Sequence, residues 1–473
     1  MTTETLKEIG SLPGPKCWPI VGNVLQIKAH RVHLDFEAWA RQYGNTFRVY
    51  FGSRPVLVIT GHKDIAAVLR ERPDGFRRPS ITERVSKEMG GYSGVFQAEG
   101  SEWRNQRRMV MAGFAPGPIK AYLPTLIKVA VRLHKRWEKA ARNNEAIDLS
   151  SDLKRYTVDI IAGLAFGTEV NTLESGEDVI QQHLDNVLPA IARRSLSLFP
   201  YWRYFKLPQD RKLDRSIEYL RTAIQQLIAN ARDTLKENPA LKDKPQNLLQ
   251  AMLIAADTPD SGVDDNAVAG NVSTMLFAGE DTTANTIAWV LYLLKQNPHT
   301  LALAIEEVLS VAPQYTELEL LQIDSMTYID ACIQEAMRLK PVGPYMPLEA
   351  TKEVAVAGVR VPKGTIVWSL FRHDTVSDEF FPEPTLFKPE RWLAADSGKP
   401  TDKKVSMPFG SGPRTCPGRY LALMEIKMAL AMVLGSFKIE SVGTSGGGEV
   451  QELMGFVMSP VGLKLRLRQL LTE

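Results

Sequence analysis

The chain has 473 residues, 44% apolar and 23% charged, with a formal net charge of +3 at neutral pH. That make-up suits a globular protein with room to bury a sizeable ligand, and argues against a disordered chain or a nucleic-acid binder, since no block of five or more Lys/Arg occurs. Cys17, Cys332 and Cys416 are odd in number, far apart and without a CxxC pair, which predicts a reducing compartment, and no apolar run predicts a signal peptide or a bilayer span.

Taken in order, Pro13-Gly14-Pro15 opens an extended entry segment. Residues 34–43 predict an amphipathic helix closed by Gly44, 46–51 and 56–60 a β-hairpin, and about 63–70 another helix. With Pro79, Gly90, Gly91 and Gly94, residues 74–98 read as a mobile loop. The next helix opens near Ser101 and puts Trp103 and Arg107, four apart, on one face. From 119 to 234 the pattern is helical, with breaks near Gly167, 174–176 and 199–201; residues 236–245 form a polar surface connection. The glycines of 443–448 neither follow a strand nor open a helix, so a nucleotide-loop reading fails.

Residues 264–296 give the longest helix, without a proline, and its middle reads Ala278-Gly279-Glu280-Asp281-Thr282-Thr283. Acids and paired threonines are odd inside an apolar helix, and the Thr282 hydroxyl can bond back to the Ala278 carbonyl. A helix over 328–339 carries Glu335 and Arg338 on one face. Strands are predicted at 354–356, 359–361 and 365–370. Residues 409–418 then read Phe-Gly-Ser-Gly-Pro-Arg-Thr-Cys-Pro-Gly, followed by an apolar helix over 419–434 with Gly435 as its stop. Cys416 therefore stands before a helix N-terminus, where dipole and free N–H groups favour a thiolate. Gly412 and Gly418 let a large flat ligand approach, and such a thiolate is a candidate axial ligand for haem iron. Strands at 437–440 and 463–467 bracket a last hairpin.

The pattern Phe409-x-x-Gly412-x-Arg414-x-Cys416-x-Gly418 resembles the haem-thiolate signature of the cytochrome P450 family. Three further motifs stand in that family's order: Trp103 with Arg107, Ala278 to Thr283, and Glu335 and Arg338 with Arg391 in 387–392. The resemblance covers nearly the whole chain. It implies a mainly α fold with a small β-rich lobe, one domain over 1–473, and a long central helix about 264–296. The ligand loop at 409–418 would hold haem b, iron protoporphyrin IX, through Cys416, with Phe409, Gly410, Gly418 and Ala278 against it. Trp103, Arg107 and Arg414 would serve its propionates, an indole donor and permanent cations being suited to carboxylates. Thr282 would help bind oxygen and Asp281 would feed protons. Glu335, Arg338 and Arg391 would hold the cysteine loop without taking part in chemistry.

The activity implied is monooxygenation of a hydrophobic small organic substrate framed by residues 80–98 and about 185–210, by Met275, Phe277 and Ala278, by Tyr345 and Met346, and by Phe456. No flavin or nicotinamide fingerprint occurs, so electrons would come from a separate ferredoxin- or flavodoxin-type donor with its reductase, docking near Arg104, Arg108 and Lys427. The whole reads as a soluble, cytoplasmic, bacterial-type enzyme with no membrane anchor and no nucleic-acid partner. Two departures stand out. The segment 341–349 lacks the arginine that many members carry there, and Arg372-His373 replaces His-Arg, leaving open which of the two faces the haem. A haem-thiolate peroxygenase or isomerase, or a non-catalytic haem protein, are the other readings. The retained Asp281-Thr282 pair argues against them.

Overall fold

The computed structural model describes residues 6–175, 179–195, 197, 199–393 and 403–470. Long helices make up most of it. Helix Asp265–Gln296 runs through the interior, its N-terminus capped by the Asp264 carboxylate, which accepts from the Ala267 N–H at 2.8 Å. It packs along helix Leu149–Phe166, and Gly279 leaves room for Ile161 of that helix. A Cβ there would lie 2.4 Å from Ile161 Cδ1. Helix Arg419–Ser436 is buried over Met424 to Leu434, as expected of an apolar run with few polar breaks.

The β structure is small and lies beside this mass. A five-stranded sheet orders Thr46–Phe51, Arg54–Ile59, Ile366–Leu370, Tyr345–Ala350 and Phe76–Arg77; the pairing of Arg54–Ile59 with Ile366–Leu370 is parallel and the rest antiparallel. Phe437–Thr444, Leu463–Gln469 and Ile147–Asp148 form a second sheet. Glu452–Met454 and Met458–Pro460 pair as the predicted last hairpin. The mainly helical architecture with a small β-rich part matches the sequence reading. Among the described residues no helix is long and apolar enough to cross a membrane.

Three local expectations are corrected. Residues 74–98 are not a loop throughout. Helix Ser80–Glu88 buries Val85 and Ser86, and Lys87 pairs with Glu83 one turn earlier at 2.7 Å. Strand Tyr345–Ala350 was hidden by Pro344 and Pro347, yet Pro347 is accommodated opposite Trp368. Gly435 does not stop its helix, which continues to Ser436; a Cβ on Gly435 would lie 3.4 Å from Val308 of a neighbouring helix. The predicted break at 174–176 lies partly outside the described residues, as does the N-terminus up to residue 5.

Candidate functional site

The cysteine loop is shaped by two glycines that only a missing side chain permits. Gly410 and Gly412 have φ of +73° and +72°, and a Cβ on Gly412 would lie 2.8 Å from the Leu69 carbonyl oxygen. The Cys416 N–H donates to the Phe409 carbonyl at 3.0 Å and closes the loop. Gly418 then caps helix Arg419–Ser436. Cys416 is accessible to solvent, although protein crowds it from most directions. Burial pushes the thiol up and outweighs the Gly418 N–H and the charges of Arg107 and Arg419, which pull it down. Desolvation and the helix start thus pull this thiol in opposite directions.

Trp103, Arg107 and Arg414 converge on this loop. Arg107 Nη2 donates to the Thr415 carbonyl at 2.8 Å, and the Arg414 guanidinium lies 5.2 Å from the centre of the buried Trp103 ring. Arg414 Nη2 donates to the carbonyls of Val95 and Ala98 at 3.0 and 2.6 Å. Its Nη1 lies 2.6 Å from Glu99 Oε2 without the alignment of a hydrogen bond.

On the central helix, Thr282 Oγ1 donates to the Ala278 carbonyl at 2.7 Å, and Thr286 Oγ1 to the Thr282 carbonyl at 2.8 Å. The helix nevertheless runs unbroken. Asp281 is partly exposed and held 2.8 Å from Lys154 Nζ. Behind it lies an acid that sequence reasoning missed. Glu425 is fully enclosed, and its carboxyl is pushed up to about 8 by burial, against a hydrogen bond with Thr283. A carboxyl in this state is neutral at pH 7.

A cavity of about 120 Å³ opens beside this helix, lined by Leu276, Phe277 and Ala278 and by Met89, Phe96 and Phe456. The rings of Phe96 and Phe456 are 5.8 Å apart. Met275, Tyr345 and Met346 do not line it. Met275 is turned into the core, and the Tyr345 ring stacks flat on Trp368 at 4.9 Å and 3°. Met346 Sδ faces Arg72 Nη1 at 3.6 Å. The apolar stripe Ile217, Leu220 and Ile224, with Arg221, completes the wall beyond the predicted segment, and its i, i+3, i+7 spacing was the signal available.

Glu335 is fully buried and accepts five hydrogen bonds. Arg338 gives two, at 2.8 and 2.7 Å, and Arg391 Nε, Trp392 Nε1 and the Lys388 N–H give the others, at 2.9, 2.8 and 3.0 Å. Remaining guanidinium donors go to carbonyls, among them Pro384 at 2.7 Å and Pro382 at 2.9 Å. Trp392 was the member not foreseen.

Arg372 and His373 both have protein partners. Arg372 is buried and committed to Glu37, at 2.9 Å from both Nε and Nη2, and to Glu452 at 2.8 Å from Nη1; His373 Nδ1 lies 3.1 Å from Asp374. Lys427 is likewise spoken for. It is buried, donates to the Ile323 carbonyl at 3.2 Å, and offers no docking charge, whereas Arg104, paired with Asp74 at 2.6 Å, and Arg108 are exposed.

Burial alone would raise the Glu452 carboxyl; hydrogen bonds from His33 and Arg372 and the charges of Arg372 and Lys340 prevail and hold it well below the carboxylate range. A depressed folded pKa gives stability that is present above the unfolded value, near 4.5, and lost as pH falls below it. Glu452→Gln is expected to cost about 3 kcal/mol at pH 7 and to flatten the fall of Tm between pH 5 and pH 3. Thermal unfolding across that range checks it, and an unchanged slope would count against it.

Among the described residues, no group of three or more His, Cys, Asp or Glu side chains could hold a metal ion by itself. The family model "Cytochrome P450" matches residues 12–467. The chain is similar to cytochrome P450 3A40 of Oryzias latipes, 26% identical over 483 residues, covering 98% of this chain and 93% of that one. It is also similar to cytochrome P450 3A15 of Cavia porcellus, 29% identical over 449 residues, 91% and 86% of the two chains, and to cytochrome P450 3A31 of Mesocricetus auratus, 28% identical over 451 residues, 91% and 85%.

Proposed function

The chain belongs to the cytochrome P450 family of haem-thiolate monooxygenases, and from that premise we propose that it inserts one oxygen atom of O2 into a hydrophobic small organic substrate. Membership brings a haem, a substrate and a source of electrons. The observation that carries the reading is the solvent-reachable Cys416 thiol beside the Trp103, Arg107 and Arg414 cluster, within the same fold as the Ala278 to Thr283 segment.

These residues fit haem. A solvent-reachable thiol can exchange its proton for iron. Arg107 and Arg414, permanent cations at the edge of the same loop, suit carboxylates, although Arg414 Nη1 already lies 2.6 Å from Glu99 Oε2. When bound, the haem supplies oxygen activation, which an electron-rich thiolate ligand favours. The protein's part is to bind, orient and protonate. Thr282 holds its hydroxyl toward the helix carbonyl and is released for an incoming ligand by a small rotation. Asp281, partly exposed and paired with Lys154, can take a proton from water and pass it inward when that pair opens. Phe277, Phe456 and Phe96 line an apolar space suited to a hydrophobic substrate.

We read the chain as one domain, supported by the span of the family model. A separate ferredoxin- or flavodoxin-type donor is proposed to dock over Arg104 and Arg108. The cytoplasmic, bacterial-type reading rests on the three unpaired thiols and on the lack of a span-length apolar helix among the described residues; the relatives named above are vertebrate proteins.

Reduction under carbon monoxide tests the function. The strongly red-shifted band of a thiolate-ligated haem is expected, and turnover is expected only with a reducing partner. A histidine-type band, or turnover on peroxide alone, would reject it. Thr282→Ala is expected to lower product formed per electron pair by about tenfold, with peroxide or water released instead. Unchanged coupling, measured as product against reductant consumed, would remove Thr282 from this role.

A further inference from the structure

Three arginines meet at a single carboxylate. Glu99 Oε2 lies 2.6 Å from Arg414 Nη1, and its Oε1 lies 3.8 Å from Arg72 Nη2 and accepts the Arg78 backbone N–H at 2.9 Å. The Arg78 side chain donates to the Phe96 carbonyl and lies over the Phe96 ring at 3.4 Å. One acid against three cations leaves surplus positive charge within the protein.

Arg78 and Arg414 donate to carbonyls, and Arg72 is the least satisfied of the three. It is 4% exposed, its Nε and Nη2 have no hydrogen-bond partner, and its Nη1 reaches only the weak acceptor Met346 Sδ at 3.6 Å. Its guanidinium is lowered to about 10, by burial first and by the charge of Arg414 next, with Glu99 partly opposing them. A buried cation left in this state is costly unless an anion completes it.

The location says which anion. Arg414 stands two residues from Cys416, and Gly412 of the same loop presses on Leu69 and Arg70, just ahead of Arg72. The cluster therefore lies beside the cysteine loop. The segment 341–349, where an arginine would be expected to point at the cofactor, contains none, and its Met346 lies against Arg72 instead.

We propose that Arg72 anchors a carboxylate of the bound haem, its Nε and Nη2, which make no hydrogen bond, forming the two-pronged donor that replaces the arginine absent from 341–349. This rests on the haem-thiolate reading above. Nε and Nη2 are adjacent donors of one planar fork, the pair that engages both oxygens of a carboxylate. Once the anion is in place, the three cations face two acids, Glu99 and the haem carboxylate, and the desolvation penalty at Arg72 is offset.

The test uses the haem-loaded protein. Arg72→Met keeps the side-chain stem and removes the charge. It is expected to speed haem transfer from the ferric enzyme to excess apomyoglobin by about tenfold or more, while the carbon monoxide band stays in place. The iron reduction potential is expected to fall, because the carboxylate loses its counter-charge, and Arg72→Lys is expected to restore the potential while restoring the transfer rate only in part. A brace for Glu99 alone would behave differently: Arg72→Met would lower the urea midpoint and leave the potential unmoved, which would overturn the proposal. Wild-type haem transfer together with lost binding of a carboxylate such as dodecanoate would assign the anion to substrate and overturn it as well. If Arg72→Met does not fold, the potential and transfer rate of Arg72→Lys decide, and wild-type values of both reject the anchor. A wild-type protein without the red-shifted band would reject the underlying reading, a result separable from all of these.

Discussion

Cys416→Ser loses the red-shifted band of the reduced carbon monoxide complex and lowers monooxygenase turnover by on the order of a thousandfold or more, equivalent to ~4 kcal/mol of barrier. The loop itself should survive the change. Its closure depends on the Cys416 N–H donating to Phe409 and on the left-handed glycines 410 and 412, none of which involves the sulfur. The variant instead forfeits the ligand's electron donation, since a serine hydroxyl is far harder to ionise and binds iron poorly. Absorption spectra of the reduced variant under carbon monoxide check this, with circular dichroism to show that the fold is intact. A band at the wild-type position in a folded variant would remove Cys416 as ligand.

Glu335→Ala is expected to destabilise the protein by about 3–5 kcal/mol, the range for removing one partner of a buried charge pair. The groups left behind set that magnitude. Arg338 and Arg391 would keep their carbonyl acceptors, but their charges would sit buried without an acid, and Trp392 Nε1 and the Lys388 N–H would lose their acceptors too. Replacing the group with glutamine keeps some acceptors and should cost less. Urea unfolding of the haem-loaded protein measures both. A loss below 1 kcal/mol for Glu335→Ala would show that the network holds neither the fold nor the cysteine loop.

Much of this was legible in the residues, for reasons that differ from place to place. The central helix was predicted within one residue of its N-terminus because Asp264 is a strong cap and no proline interrupts residues 265–296. The hairpin near the N-terminus and the last hairpin announced themselves by alternation and turn residues. Strand Tyr345–Ala350 did not, since two prolines masked a segment whose partner strand lies some twenty residues on. Lys427 misled as an exposed cation although its helix is apolar on nearly every side and buried from Met424 to Leu434. Met275 shows the limit of position without rotation. Its neighbours on both sides line the cavity, and one residue's turn about the axis sends it elsewhere. The Arg72 cluster was beyond reach, because its members come from four separate stretches and share no motif; the charge imbalance exists only after folding.

The three cysteines, whose number and spacing predict a reducing environment, also differ in how a reagent meets them. Cys17 is exposed, Cys332 is sealed in the core with its thiol pushed far upward by burial, and Cys416 is exposed where haem would cover it. The chain thus carries its own gauge. A thiol-reactive dye counts one sulfhydryl in the loaded enzyme, two once the cofactor has left, and all three when the chain is unfolded, so a single colorimetric titration separates loss of haem from loss of structure.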